Sequence, residues 1–76
     1  MKKQYAFLDF VNINGMIEQI TTEIVEKEKL LFHIKNDYQN DGTILERFEK
    51  FIPIKRIYCV ELISESFFTK PIQKEN

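Results

Sequence analysis

The side chains that could do chemistry in this chain are few: it contains one histidine, His33, and one cysteine, Cys59. A neutral-pH base such as His33 must stand beside a nucleophile to activate it, and no partner at a recognisable spacing is present. Cys59 lies within an apolar run, where a thiol behaves as a small inert hydrophobe. A zinc site needs about four nitrogen, sulfur or carboxylate ligands. The sequence therefore predicts no catalytic residues, no metal site and no cofactor.

The carboxylates give no stronger signal. Asp9 and Glu61 each interrupt an apolar run, and a pair of carboxylates can perform acid and base catalysis when the fold brings the two groups together. A place at a sheet edge, or an ion pair with Lys or Arg, explains them more simply. We therefore predict a protein that is not an enzyme.

Composition limits the remaining functions. The chain has 76 residues, 43% of them hydrophobic, and a formal net charge of −1. It is long enough for one domain with a packed core, and its charge produces no general attraction to nucleic acid or to an acidic membrane. A single cysteine excludes an intramolecular disulfide and favours a cytoplasmic location. No segment reaches the roughly 20 apolar residues of a membrane span, so we expect no membrane partner. The richness in Lys, Ile, Asn, Glu and Phe is typical of AT-rich bacterial or phage genomes.

Two Asx-Gly pairs, Asn14-Gly15 and Asp41-Gly42, lie between apolar runs and predict β-hairpins. If the turns are two-residue primed turns, both residues of each pair have positive φ, which Asn, Asp and Gly tolerate. Between them, apolar and polar residues alternate over 20–24 and 30–34, as in half-buried strands. A seven-residue spacing of apolar side chains over 17–38 also fits a helix. The charged cluster at 26–29 is typical of an exposed turn and favours two strands over that helix.

Residues 43–52 leave two folds open. Thr43 and Glu46 could form a capping box, with an apolar helical stripe behind them; the alternative is a strand that ends at Pro53. The main prediction is a mainly β fold, a small antiparallel five-stranded barrel. The alternative is an α+β fold with a short helix near 43–52.

The most clearly predicted strand is Ile57 to Ile63, which is apolar on both faces except at Glu61. A strand of this kind needs cover on both sides, and a second chain could supply it. Phe67 and Phe68 follow the strand and are expected to pack as a lid over the open end of the barrel. The alternative is that they anchor a protein partner as exposed aromatic residues. The candidate protein interface therefore consists of Ile57, Cys59, Ile63, Phe67 and Phe68. We expect residues 1–66 to form the single domain and 67–76 to form a C-terminal tail.

A second candidate surface is basic. Lys27, Lys29, His33 and Lys35 would share one strand face, and basic groups interleaved with aromatic residues hold single-stranded nucleic acid. Glu23 lies on the same face and lowers its positive potential. Nucleic acid is therefore the less favoured partner.

The run from Phe51 through Pro53 to Ile57, leading into residues 58–62, resembles the closing segment of Sm-like and SH3-like small barrels. In those proteins a strand, a one-turn corner and a final strand complete the sheet. The resemblance implies a small barrel and edge-to-edge assembly. Sm-like proteins also bind RNA through an Arg-Gly pair that this chain lacks, so their RNA-binding residues cannot be transferred.

We therefore expect a non-enzymatic module that binds protein or assembles with itself, as a homo-oligomer or as a small regulator or inhibitor encoded by a bacterium, phage or mobile element. The alternative is an Sm-like protein that binds single-stranded nucleic acid.

Overall fold

A computed structural model describes residues 3–68 of the chain. They form the strands β1 (Gln4–Val11), β2 (Ile17–Lys27), β3 (Leu31–Tyr38), β4 (Ile44–Pro53) and β5 (Ile57–Ile63), with short 3₁₀ helices at Ile54–Arg56 and Glu65–Phe67. The strands make one antiparallel sheet in the order β4-β3-β2-β1-β5. The predicted mainly β fold is confirmed, and β5 has the predicted bounds.

The helix considered for residues 43–52 does not form, because this segment is β4 and pairs with β3 along its length. Thr43 does not cap a helix. Its backbone N–H and its hydroxyl both donate to Oδ1 of Asp41, at 3.0 and 2.7 Å. These bonds stabilise the turn before β4 and direct the chain into the ladder with β3, whose backbone hydrogen bonds replace those of a helix.

The sheet is open. In the described residues β4 and β5 occupy its two edges and share no ladder, although the 3₁₀ helix Ile54–Arg56 connects them directly. That corner is held in place by two hydrogen bonds: Ile54 N–H donates to the carbonyl of Leu30 at 2.9 Å, and Arg56 Nε donates to the carbonyl of Val11 at 2.8 Å. Closure of the sheet into a barrel is therefore not confirmed.

Both Asx-Gly pairs lie in hairpin turns, but the turns are not two-residue primed turns. In the first, Gly15 N–H donates to the carbonyl of Asn12 at 3.0 Å and Asn12 N–H donates to that of Met16 at 2.7 Å. Gly15 has φ +79°, whereas Asn14 is not among the described residues with positive φ. This is a three-residue loop in which a left-handed Gly follows a type I turn. The second hairpin has the same bonding around Gly42, which has φ +92°.

One face of the sheet carries the hydrophobic core. Its buried members are Ala6, Leu8, Phe10, Ile24, Phe32, Ile34 and Ile52. Strand alternation explains this set, since Leu8 is opposite Ile20 and Ile24 is opposite Ile34 in the ladders. Ile57 and Val60 of β5 pack against the same cluster. The alternation predicted for 20–24 and 30–34 therefore places these residues correctly, except that Leu30 is 74% exposed.

A smaller aromatic cluster consists of Tyr5, Tyr38 and Phe68, with Ile63 packed against it. The ring of Tyr5 meets those of Tyr38 and Phe68 edge to face, with centroids 5.6 and 5.4 Å apart. The boundary predicted at 66/67 therefore falls before two residues that contact the sheet, because Phe67 also packs edge to face on Phe7. The rest of the predicted tail, 69–76, lies outside the described residues.

Candidate functional site

His33 and Cys59 cannot act together. His33 lies on β3 and Cys59 on β5, with β2 and β1 between them, so about 14 Å of sheet separates the two strands. His33 Nε2 instead lies 2.5 Å from Oε2 of Glu49, and its ring stacks on that of Phe51 at 4.2 Å. Across residues 3–68 no three His, Cys, Asp or Glu side chains are grouped as metal ligands. Within the described residues, the side-chain contacts of His33 are therefore with Glu49 and Phe51 on β4.

The carboxylates that interrupt apolar strands do come together. Asp9 and Glu61 lie with Cys59 and Asp37 on the face of the sheet opposite the core, around an open groove of about 470 Å³. Thr21 N–H donates to Oδ1 of Asp37 at 3.3 Å. Burial raises the pKa of the Asp37 carboxyl above its usual value, and nearby acidic side chains raise it further.

The groove is acidic. Among the described residues that line it are Asp9, Asp37 and Glu61 but no Lys, Arg or His. Gln19 Nε2 approaches Asp9 Oδ2 at 3.4 Å, which makes the carboxylate one member of a polar cross-strand pair. We therefore assign no chemical role to the groove.

The four residues of the predicted nucleic-acid face do not share a face. His33 and Lys35 are two positions apart on β3 and therefore lie on the same face of the sheet. Lys27 is opposite Phe32 in the β2–β3 ladder, so it belongs to the core face of the sheet and not to the face of His33. Lys29 lies in the turn between β2 and β3. A β-bulge in β2 causes the difference, because one extra residue reverses the alternation of side chains.

Acidic side chains also flank the two residues that do share a face. Lys35 is opposite Glu23 on β2 and Glu49 on β4, and His33 is opposite Glu26 on β2. Opposite charges on neighbouring strands lie within interaction distance. The local positive potential that a phosphate backbone requires is therefore largely cancelled.

The five residues of the predicted protein interface do not form one surface either. Ile57 packs on the core, while Ile63 and Phe68 pack in the aromatic cluster. Phe67 is 40% exposed, and Cys59 is an exposed, unpaired thiol. A bulge separates the β1–β5 pairs Asp9–Cys59 and Phe10–Ile57, and this turns Ile57 toward the core instead of outward.

The exposed apolar surface of β5 is carried by other residues. Tyr58 is 72% exposed and Leu62 is 53% exposed. Tyr58 is the extra residue of the bulge and has no partner on β1. Leu62 is opposite the buried Ala6, and no strand within residues 3–68 lies on its other side. Both side chains therefore stand at an open edge of the sheet. The sequence does contain the signal, since residues 58, 60 and 62 are all apolar, but strand order decides which of them are covered.

The other edge, β4, carries four charged residues where β5 carries one. It also has two exposed large apolar side chains, Leu45 and Phe51. The exposed Lys50 is opposite Ile34 and so occupies a core-face position of this edge strand. Its Nζ lies 4.6 Å from the centroid of the Phe48 ring, in cation–π geometry. The β3–β4 ladder has two register shifts, and β4 ends at Pro53. Inward-pointing charge, bulges and proline are the features by which natural edge strands avoid pairing.

β5 has fewer of these features. Between Cys59 and Ile63 its ladder with β1 is regular, and Glu61 is the only charged residue of the strand. Within the described part of the chain, the outer side of β5 is the open and weakly protected edge of the sheet. Backbone N–H and C=O groups on that side are available to another extended segment.

No family model, curated protein or solved structure compared with this chain matches it. None of the helices in residues 3–68 has the length and apolar character needed to cross a membrane.

Proposed function

We propose that this protein is a non-enzymatic module that binds protein by adding an extended segment to the outer side of β5, either in self-assembly or with another protein. The observation that carries the proposal is the combination of an open edge on β5 with two exposed apolar side chains, Tyr58 and Leu62, on that same strand. The exposed Cys59 thiol supports a reducing location such as the cytoplasm.

Strand addition supplies two kinds of contact. Main-chain hydrogen bonds along the edge contribute affinity for any extended segment, and side-chain contacts at alternate positions contribute specificity. Here the inward position next to the core, Leu62, would be covered by a side chain of the added strand. Covering an exposed aliphatic group of this kind contributes about 1 kcal/mol, at roughly 25 cal/mol per Å² of apolar area.

The test is to place a charge on the edge. We expect Leu62→Lys to weaken self-association measured by sedimentation velocity at least tenfold, because a cation held against apolar surface costs more than about 1.4 kcal/mol. Ile13→Lys is the matched control: it makes the same change of charge at a side chain that is 90% exposed in the first hairpin turn. It should associate as the unchanged protein does.

Three outcomes would contradict the proposal. The unchanged protein could remain a monomer at about 300 μM, where even a Kd near 100 μM would give measurable association. The two lysine variants could also weaken association equally, which would point to non-specific contacts. Finally, Leu62→Lys could associate unchanged. Circular dichroism and thermal melting must first show that both variants fold.

One observation favours the nucleic-acid alternative. The His33 and Phe51 rings are parallel to within 19°, and Phe51 is 60% exposed, so an unstacked base could extend this stack. Binding of this kind would weaken steeply with salt, by a slope of about 0.7 per phosphate contact for single strands. Phe51→Ala should abolish binding of oligo-uridine if the stack is the site. The acidic neighbours of Lys35 lead us to expect no salt-sensitive binding.

A further inference from the structure

The two edges of the sheet differ, and the difference bears on which strand of a second copy can pair with β5. A ring or filament made by pairing β5 of one copy with β4 of the next would have to use the protected edge, which has an inward Lys50 and an irregular ladder. Pairing β5 with β5 of a second copy avoids β4 altogether. Such a contact uses the same surface twice and closes after two subunits.

From this difference we infer that the occupant of the β5 edge is β5 of a second copy, in an antiparallel twofold dimer whose axis passes beside Val60. The inference rests on the proposed function, because it requires that β5 accept a strand. It adds the identity of that strand, the symmetry and the register.

The register follows from the length and composition of β5. The strand runs from Ile57 to Ile63, so Val60 is its middle residue. With the axis at Val60, each of the seven positions of the strand, including the bulge residue Tyr58, lies opposite a position of β5 in the other copy. Moving the axis by one residue in either direction leaves two residues of each strand without a partner.

The side chains favour the same register. With the axis at Val60, the exposed Tyr58 of each copy lies opposite the exposed Leu62 of the other, and aromatic–aliphatic pairs of this kind stabilise antiparallel ladders. Glu61 then lies opposite Cys59. With the axis at Glu61 two carboxylates would face each other, which is destabilising. With the axis at Cys59, Leu62 would face residue 56, which lies in the 3₁₀ helix outside the strand.

The inward face supports the dimer as well. Val60 and Leu62 are opposite Leu8 and Ala6 of β1, so they lie on the core face of the sheet. Joining two copies through β5 continues that face across the twofold axis. The apolar side chains left exposed at the edge of one copy are then covered by the residues opposite them on β5 of the other copy.

Single cysteines along β5 report the position of the axis. Directly opposite residues of an antiparallel pair have Cα atoms about 4.5–5.5 Å apart, within the range of a disulfide. Residues displaced by one position on each strand are about 8 Å apart and outside that range. Three proteins are therefore compared under mild oxidation: the unchanged chain with Cys59, Cys59→Ser with Val60→Cys, and Cys59→Ser with Glu61→Cys.

We expect the Val60→Cys protein to form a covalent dimer at least about tenfold faster than the other two, as scored on non-reducing gels. Adding Leu62→Lys to it should suppress the cross-link, and adding Ile13→Lys should not. Glu61→Cys with native Cys59 retained should also cross-link, because positions 59 and 61 face each other across the axis. Sedimentation should give a dimer as the largest species.

The failures are distinguishable. Rapid cross-linking at position 59 or at position 61 alone would move the axis and overturn the register. Species larger than a dimer that depend on Leu62, with no cross-linking at 59, 60 or 61, would overturn the twofold dimer and leave strand addition in place. A monomer at all concentrations would overturn the proposed function together with this inference.

Discussion

The buried side chain of Asn36 takes the place of a backbone hydrogen bond at an interruption of the β3–β4 ladder. Replacing it therefore tests how much this side chain stabilises the sheet. Asn36 is 1% exposed and has a φ of 63°, in the left-handed region. The β3–β4 register shifts at this point. Oδ1 of Asn36 accepts the backbone N–H of Phe48 at 3.3 Å, and Nδ2 donates to the hydroxyl of Tyr38 at 3.3 Å.

Two substitutions of Asn36 separate the cost of the lost hydrogen bonds from the cost of backbone strain at positive φ. Asn36→Ala removes the acceptor for a half-buried N–H, which costs about 1–3 kcal/mol, and places an alanine at positive φ, which costs about 1 kcal/mol more. The expected loss is about 2–4 kcal/mol. Asn36→Gly loses the same hydrogen bonds without the backbone strain, so it should be less destabilised than the alanine variant by about 1 kcal/mol.

Urea unfolding followed by circular dichroism measures both values. A domain of this size has a total stability of about 4–11 kcal/mol, so the alanine variant should lose a large fraction of it and melt roughly 10–20 °C lower. Asn40→Ala, at an exposed turn position, is the control and should change stability by less than about 0.5 kcal/mol. Equal losses for Ala and Gly would refute the strain argument, and losses no larger than that of the control would refute the hydrogen-bond argument.

Three further predictions use the same assay. Gly15→Ala should destabilise by about 1 kcal/mol through its positive φ alone, since an added Cβ meets nothing within 4 Å; an unchanged midpoint would contradict the left-handed turn. Asp37→Asn should stabilise the protein at pH 7 and leave it unchanged near pH 3. Burial raises the pKa of the Asp37 carboxyl in the folded protein, so ionisation of this group lowers the folding stability as the pH rises above about 4. An Asp37→Asn variant that is less stable than the unchanged protein at pH 7 would refute this. Ile34→Ala, at a fully buried core position, should cost about 2–5 kcal/mol, and a cost below about 1 kcal/mol would be inconsistent with its burial.

The site illustrates what strand order adds to the sequence. The apolar character of residues 57–63 correctly predicts the strand β5. It does not show which side chains remain exposed, because a bulge at Tyr58 reverses the expected alternation and turns Ile57 inward. The basic face fails for the same reason, since the bulge in β2 moves Lys27 to the register of Phe32. A bulge depends on how two distant strands pair, and local spacing does not encode it.

The sequence by itself determined the strand content, the positions of the two Asx-Gly hairpins and most of the core, because alternation and Asx-Gly pairs act over a few residues. It could not decide between helix and strand for residues 43–52, where capping residues and an apolar stripe satisfy the local rules for a helix. Pairing with β3 makes this segment a strand. Only the tertiary structure placed β4 and β5 at the two edges of one sheet and gave the inward Lys50 to one and exposed Tyr58 and Leu62 to the other. Edge exposure arises from the order in which strands pair across the whole chain, and that order is a non-local property.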